Sequence, residues 1–206
     1  MALSRYDVLR EAIAILDDRG LGDLTMRRLA TRLDVRPSAL YWHFASKQEL
    51  LAGVADRLLA RMAPATATAW DVRTRELCTH LRDALLAYRD GAEVVATSYA
   101  FALGAQAPYR ALADALIDGG LTRQDAEAGA SVLLHFVFGY TVNEQQHLQA
   151  ASLGAIPGGE PDAVEGTERY TSAAFLRGVD LILDGVRSQH GTAPTDDAPR
   201  TSDEAR

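Results

Sequence analysis

Apolar residues recur every three to four positions along most of this chain, and nowhere do they alternate with a period of two over a useful length. From Arg5 to Asp18 they fall at Val8, Leu9, Ala12, Ile13, Ile15 and Leu16, one stripe of an amphipathic helix that Gly20 ends. Gly22-Asp23-Leu24-Thr25 then leads into a short second helix, with Thr25 as N-cap and Leu29, Ala30 and Leu33 on its inner face. Asp34-Val35-Arg36 makes a tight connection, and Pro37 suits the first turn of a third helix that runs through Tyr41 to His43. Ala45-Ser46-Lys47 opens a longer helix, with Ser46 as N-cap and Glu49 at the third helical position of a capping box.

Pro64 within 63–68 marks a joint. Beyond it the pattern predicts helical stretches over 70–88, 92–103, 106–118, 122–150 and 168–188. Breaks fall at Asp90-Gly91, around Pro108, at Gly119-Gly120, and across 154–161, where Gly and Pro predict a flexible loop. Residues after Gln189 are almost without apolar content and read as a disordered tail. The expected fold is all-α: a compact helical unit over 1–45, a connector helix and joint over 46–68, a helical body over 69–188, and the tail over 189–206.

With 48% hydrophobic and 24% charged residues, the composition is that of an ordinary globular protein. One cysteine, Cys78, excludes an internal disulfide and fits a reducing compartment, where it reads as a small buried helix residue. The first residues show no basic start followed by an apolar stretch, and no apolar run approaches the roughly 20 residues of a membrane helix. The expectation is a cytoplasmic protein without membrane contact. The net charge of −7 is unevenly spread: residues 1–62 hold ten basic and eight acidic side chains, leaving eleven and twenty for the rest. A mildly basic end on an acidic body is compatible with nucleic-acid contact through that end alone. His135, His147, Glu144 and Asp180 are the candidate catalytic residues, but none sits in a nucleophile, metal or phosphate motif. The chain therefore reads as a non-enzyme, with no cofactor and no metal.

The segment from Leu24 to Lys47 carries a helix–short turn–helix spacing that closes on Leu40-Tyr41-Trp42-His43-Phe44 and is followed by Ser46-Lys47. It closely resembles the DNA-binding region of the TetR family of bacterial regulators, whose function would be reading double-stranded DNA. The residues fit that chemistry. Leu29, Leu33, Val35, Leu40 and Phe44 would hold the two short helices at a fixed angle, so that the third lies in the major groove. Ser38 and Ala39, small and just after Pro37, would let the backbone approach the duplex. Arg36 could reach a guanine edge or a phosphate, while Tyr41, His43 and Lys47 are placed for phosphates, as are Thr25 and Arg27. Trp42 reads equally well as a DNA contact or as packing, and Arg28 and Arg32 read as solvated surface.

Further along, Ala84–Ala92, His135–Gly139, Gln145-Gln146-His147 and Phe175–Gly185 are similar to segments of the tetracycline-repressor branch of that family, extending the likeness to about 4–188. The branch implies a ligand tunnel in each subunit and a homodimer joined by a four-helix bundle. Val132, Phe136, Leu176, Val179, Ile182, Leu183 and Val186 would supply the bundle's apolar faces, and Gly139, Gly178 and Gly185 close approach. The pocket departs from the branch's pattern. Val95 stands where a metal-ligating histidine is expected, and it cannot coordinate a hard cation. Asn143 stands for a carboxylate, with Glu144 beside it, and Ser98 and Tyr99 stand for a polar pair. Leu77, Leu81 and Leu112 replace two amides and an aromatic. The expected effector is thus not magnesium–tetracycline but a flat, mostly apolar compound with one or two polar groups, touched by Leu77, Leu81, Tyr99, Leu134 and Asn143. His80 and His135 could add polar contacts or serve structure. The reading is a ligand-responsive repressor that binds palindromic operator DNA as a homodimer and is released by that effector. An activator of the same fold, and an adaptor without DNA binding, are the alternatives.

Overall fold

The computed structural model describes residues 3–155 and 170–190, and every regular element among them is helical. Most of the expected flexible loop and almost all of the expected tail lie outside the described residues. The first helix, α1 (Arg5–Arg19), starts at a capping box: Asp7 N–H donates to the Ser4 hydroxyl at 3.1 Å, and Ser4 N–H donates back to the Asp7 carboxylate at 3.2 Å. It stops at Gly20, whose φ of 84° suits a residue without Cβ. A 3₁₀ turn (Leu21–Asp23) follows, and then α2 (Met26–Arg32), capped as expected by the Thr25 hydroxyl. Pro37 occupies the first turn of α3 (Pro37–Tyr41), which ends two residues short of the expected His43. The cap of α4 (Lys47–Leu59) is Ser46, but Glu49 does not close the box on it. Its carboxylate instead accepts the Ala45 N–H at 2.8 Å and an Arg5 guanidinium N–H at 3.2 Å, tying α1 to the α3–α4 turn.

The body comprises α5 (Trp70–Leu86), α6 (Gly91–Ala100), α7 (Ala107–Asp118), α8 (Arg123–Ser152) and α9 (Ser172–His190). Helix α6 ends three residues before the expected 103. Ala102 and Ala105 leave helical space at φ of 54° and 60°, and the Asp56 carboxylate on α4 holds the Ala105 N–H at 2.8 Å. A continuous apolar core runs from Val8, Leu16, Leu50 and Leu58 through Leu81 and Val94 to Leu116, Leu133 and Val137. Helix α4 lies between α1 and α6, so it belongs to both halves of that core.

Polar contacts fix the seam between the two halves. Asp90, at φ 54°, accepts the Leu21 N–H on one oxygen at 2.7 Å and the Gln149 amide on the other at 2.6 Å. Gln145 ties α8 to the α5–α6 turn: its oxygen accepts from Ala92 N–H, and its nitrogen donates to the carbonyls of Leu85 and Tyr88. Arg61, just past α4, donates to the Tyr88 hydroxyl at 2.9 Å. Among the described residues no helix is long and apolar enough to cross a membrane.

Candidate functional site

Helices α2 and α3 bury Leu29 and Leu40 completely, and the Val35 N–H reaches back to the Ala30 carbonyl at 3.0 Å. This closes the turn and leaves one face of α3 outward. Arg36, Pro37, Ser38 and Tyr41 are exposed on it, Ala39 is half-buried, and Trp42 is 90% exposed. That figure removes the packing reading of Trp42, because an indole in water is an apolar surface left without a partner inside the chain. His43 is half-buried and its carbonyl accepts from Arg5 at 2.7 Å, so its backbone is pinned beside the exposed face.

The cations sort into two groups. Arg28 pairs with Asp23 at 2.8 Å and Arg32 with Glu11 at 2.7 Å, which commits both to the protein's own surface. Arg27, Arg36 and Lys47 have no carboxylate within ion-pair distance among the described residues. The Thr25 hydroxyl is spent on its cap, leaving its exposed edge beside Arg27.

In the body, Leu77 and Leu81 on α5, Val95, Ser98 and Tyr99 on α6, Leu112 on α7 and Leu134 on α8 all come from helices that pack on one another around the same core. All but Tyr99 are buried, and the Ser98 hydroxyl donates to the Val94 carbonyl of its own helix at 2.8 Å. The half-buried Tyr99 ring meets Tyr109 at 6.2 Å, Phe138 at 5.8 Å and His135 at 6.4 Å between centroids. Burial pushes its hydroxyl pKa up, and Tyr109 beside it adds to the shift. Sequence reasoning missed Tyr109 and Phe138, although each lies one helical turn from a residue it had chosen, Leu112 and Leu134.

Asn143 does not join this group, and the expectation is corrected: it is exposed, and the inward residue is Glu144. Glu144 takes a bidentate pair from Arg82 at 2.8 and 2.5 Å, both side chains being more than nine-tenths buried. Arg82 also reaches Ser172 at 3.4 Å and lies 5.3 Å over the Phe175 ring, so α5, α8 and α9 meet on one guanidinium. His80 and His135 hold the carbonyls of Ala63 and Ser131 at 3.0 and 2.6 Å, a structural use of both rings. Cys78 is fully buried, and burial pushes its thiol pKa up to about 12, so it stays protonated and inert.

The residues expected at a dimer face divide. Val132 is 54% exposed on α8, and Gly139 faces open space; Leu176, Ile182 and Val186 are half-buried. Val179 and Leu183 are wholly buried within the single chain and cannot touch a partner, so their assignment is corrected. Phe136 is half-buried, stacked on Phe175 at 5.6 Å and lying over Gly178. Gly178 therefore serves α8–α9 packing, whereas Gly185 is open like Gly139. The outward apolar position on α9 that sequence reasoning missed is Leu181, 68% exposed.

Comparison with known proteins bears on the family and the fold. Residues 8–54 match the model for bacterial regulatory proteins of the tetR family, and residues 63–190 match that for the tetracyclin repressor-like C-terminal domain. The class C tetracycline repressor protein of Escherichia coli is 34% identical over 92% of this chain and 93% of its own length. Among solved structures, Mycobacterium smegmatis BioQ is 42% identical with a TM-score of 0.79, covering 91% of this chain and 99% of that one. BioQ with its double-stranded DNA operator is 40% identical with a TM-score of 0.75, covering 90% and 98%. These relatives are transcription regulators and not enzymes. The chain belongs to the TetR family of bacterial regulatory proteins, in its tetracycline-repressor branch, and is a DNA-binding transcriptional regulator.

Proposed function

We propose that this chain is a ligand-responsive, cytoplasmic repressor that binds palindromic operator DNA as a homodimer and leaves it when a small, mostly apolar effector enters the body. The exposed Trp42 at the C-cap of α3, with the uncommitted Arg36 at its N-cap, is the observation that carries the reading. An indole and a guanidinium held on a rigid short helix suit a base-edge and methyl contact in the major groove. Tyr41, Ser38, Pro37 and Ala39 line the approach, and Thr25, Arg27, His43 and Lys47 flank it as phosphate contacts.

The two-fold symmetry of a palindrome calls for two such helices about one DNA turn, or about 34 Å, apart. The outward faces of α8 and α9, with Val132, Gly139 and Leu181, support a four-helix bundle with a second copy. Leu176, Ile182 and Val186 would flank that contact. In this reading residues 1–45 bind DNA, 46–68 connect, and 69–188 dimerise and bind the effector.

The apolar helix-lined core around Leu77, Leu81, Val95, Leu112 and Leu134, with Tyr99 and Ser98 as its polar edge, supports an uncharged or weakly polar flat ligand. An effector acts by preferring the splayed form of the dimer, and the shift is limited by that preference. Helix α4, packed on both α1 and α6, carries the movement. The test is sedimentation equilibrium of the purified chain, alone and with a palindromic duplex from upstream of its own gene. A dimer in both cases, two chains per duplex, supports the reading; a monomer on DNA contradicts it.

A further inference from the structure

An open surface cavity of about 270 Å³ lies away from the expected effector site, between the last turn of α5, the α5–α6 turn and the last turns of α8. We infer that it is a second ligand site, one that takes a small monoanionic amphiphile such as an aromatic or short acyl carboxylate or sulfonate. Its walls are of two kinds. Leu86 and the half-exposed Leu148 supply apolar surface, while Tyr88, Gln149 and Ser152 supply polar groups. Among the described residues Arg89 is the only charged one lining it, and no carboxylate among them lines it.

The sign of the ligand's charge follows from what is already engaged nearby. Arg89 has no ion-pair partner within 4.0 Å among the described residues, and only its backbone N–H is bonded, to Asp17. Asp90, the carboxylate next in sequence, already accepts from both Leu21 and Gln149. Two helices end here, and helix C-termini carry partial negative charge. The carbonyls of Leu85 and Tyr88, however, receive the Gln145 amide at 3.0 and 2.8 Å. On the α1 side Asp17 accepts the Arg89 backbone N–H, and Asp18, held mainly by Arg19, also feels the Arg89 charge, but neither lines the cavity. Arg89 is thus the charged group on the cavity's wall, and an anion with an apolar body satisfies both walls. At this volume the ligand is small, below the about 300–1,000 Å³ of drug-sized pockets.

The position gives such a ligand a regulatory reach. Gln149 lines the cavity and holds Asp90, which holds Leu21 of the DNA-binding half. Tyr88 lines it too and is held by Arg61 at the end of the connector. Occupancy thus bears on two of the hydrogen bonds that join the α5–α6 turn to the N-terminal half and its connector, a third being Arg89 N–H to Asp17.

The probes are 8-anilinonaphthalene-1-sulfonate and its uncharged analogue N-phenyl-1-naphthylamine, titrated into the full chain with emission as readout. Arg89 and Ser152 are exposed, so Arg89→Gln and Ser152→Trp leave the core intact, which an unchanged thermal melt verifies. Saturable sulfonate binding that weakens about tenfold in both variants is the expected result, as is binding of the uncharged analogue about tenfold weaker than the sulfonate. Sulfonate affinity unchanged in both variants, or equal affinity for the two probes, overturns the proposal. The readout is probe binding without DNA, so its failure leaves the repressor reading standing.

Discussion

The carboxylate of Asp90 accepts the backbone N–H of Leu21 at 2.7 Å across the seam between the DNA-binding half and the body. Sixty-nine residues separate the two, so the contact exists only when both halves are docked. Its second oxygen binds Gln149 on α8, which makes Asp90 a three-way junction. Helix α8 is also the element whose outer face is read as the dimer contact. A shift along it therefore reaches the 3₁₀ turn after α1 through polar contacts alone.

Substitution at this junction should separate docking from folding. Asp90→Asn keeps a side chain that tolerates the left-handed backbone at φ 54° but gives up the charge-assisted bond, worth about 1.5–3 kcal/mol. Gly20→Ala attacks the same contact from the other side. A Cβ there would fall 2.7 Å from the Asp90 carboxylate, at a φ of 84° that L-residues avoid. Both variants are predicted to increase amide hydrogen exchange across α1 and the following turn while leaving α8 protected. Exchange that rises equally throughout the chain would mean that Asp90 supports global stability and not docking.

The α8–α9 clamp gives a second test. A Cβ on Gly178 would lie 2.3 Å from the Phe136 ring, so Gly178→Ala must displace that ring from its stack on Phe175. The predicted cost is about 1–3 kcal/mol by denaturant unfolding, as for overpacked cores. Phe136→Leu should recover part of it in the double variant, because the smaller side chain vacates the space. Additive losses would show that Phe136 is not what Gly178 accommodates.

Glu49 provides a pH-dependent test. The Ala45 N–H, and then Arg5, hold its carboxyl pKa below the ordinary value. A lowered folded-state pKa contributes stability that is fully present above the unfolded value of about 4. That contribution is lost as pH falls through the folded value. Glu49→Gln should therefore melt below the parent at pH 7, with the difference shrinking as the pH drops below about 4. A gap that stays constant down to about pH 2 would assign the effect to shape and not to charge.

Legibility in the sequence tracked how local each feature is. The Thr25 cap, the Pro37 start and the Gly20 stop are set within a few residues, and they were readable. The spacing of the two short helices and the turn between them was readable for the same reason. Ser46 was a correct cap, but where Glu49 would point depended on Arg5, forty-four residues away. The choice of Asn143 over Glu144 missed by one residue, which on a helix is a rotation of about 100°. The register of α8 against α5 decides that rotation, through Arg82. Val179 and Leu183 show a different limit: an amphipathic stripe says that a face is buried, not whether its own chain or a partner buries it. Leu181, outside the stripe, carries no periodic signal at all.

The measurement that bears most directly on the repressor reading is fluorescence anisotropy of the purified chain on a labelled duplex from upstream of its own gene, over a salt series. The account predicts specific binding that falls steeply with salt, as phosphate contacts release counterions. It also predicts that Trp42→Ala and Arg36→Ala each weaken binding about tenfold without lowering the melting temperature. Equal affinity for a scrambled duplex, together with unchanged binding in both variants, would contradict it.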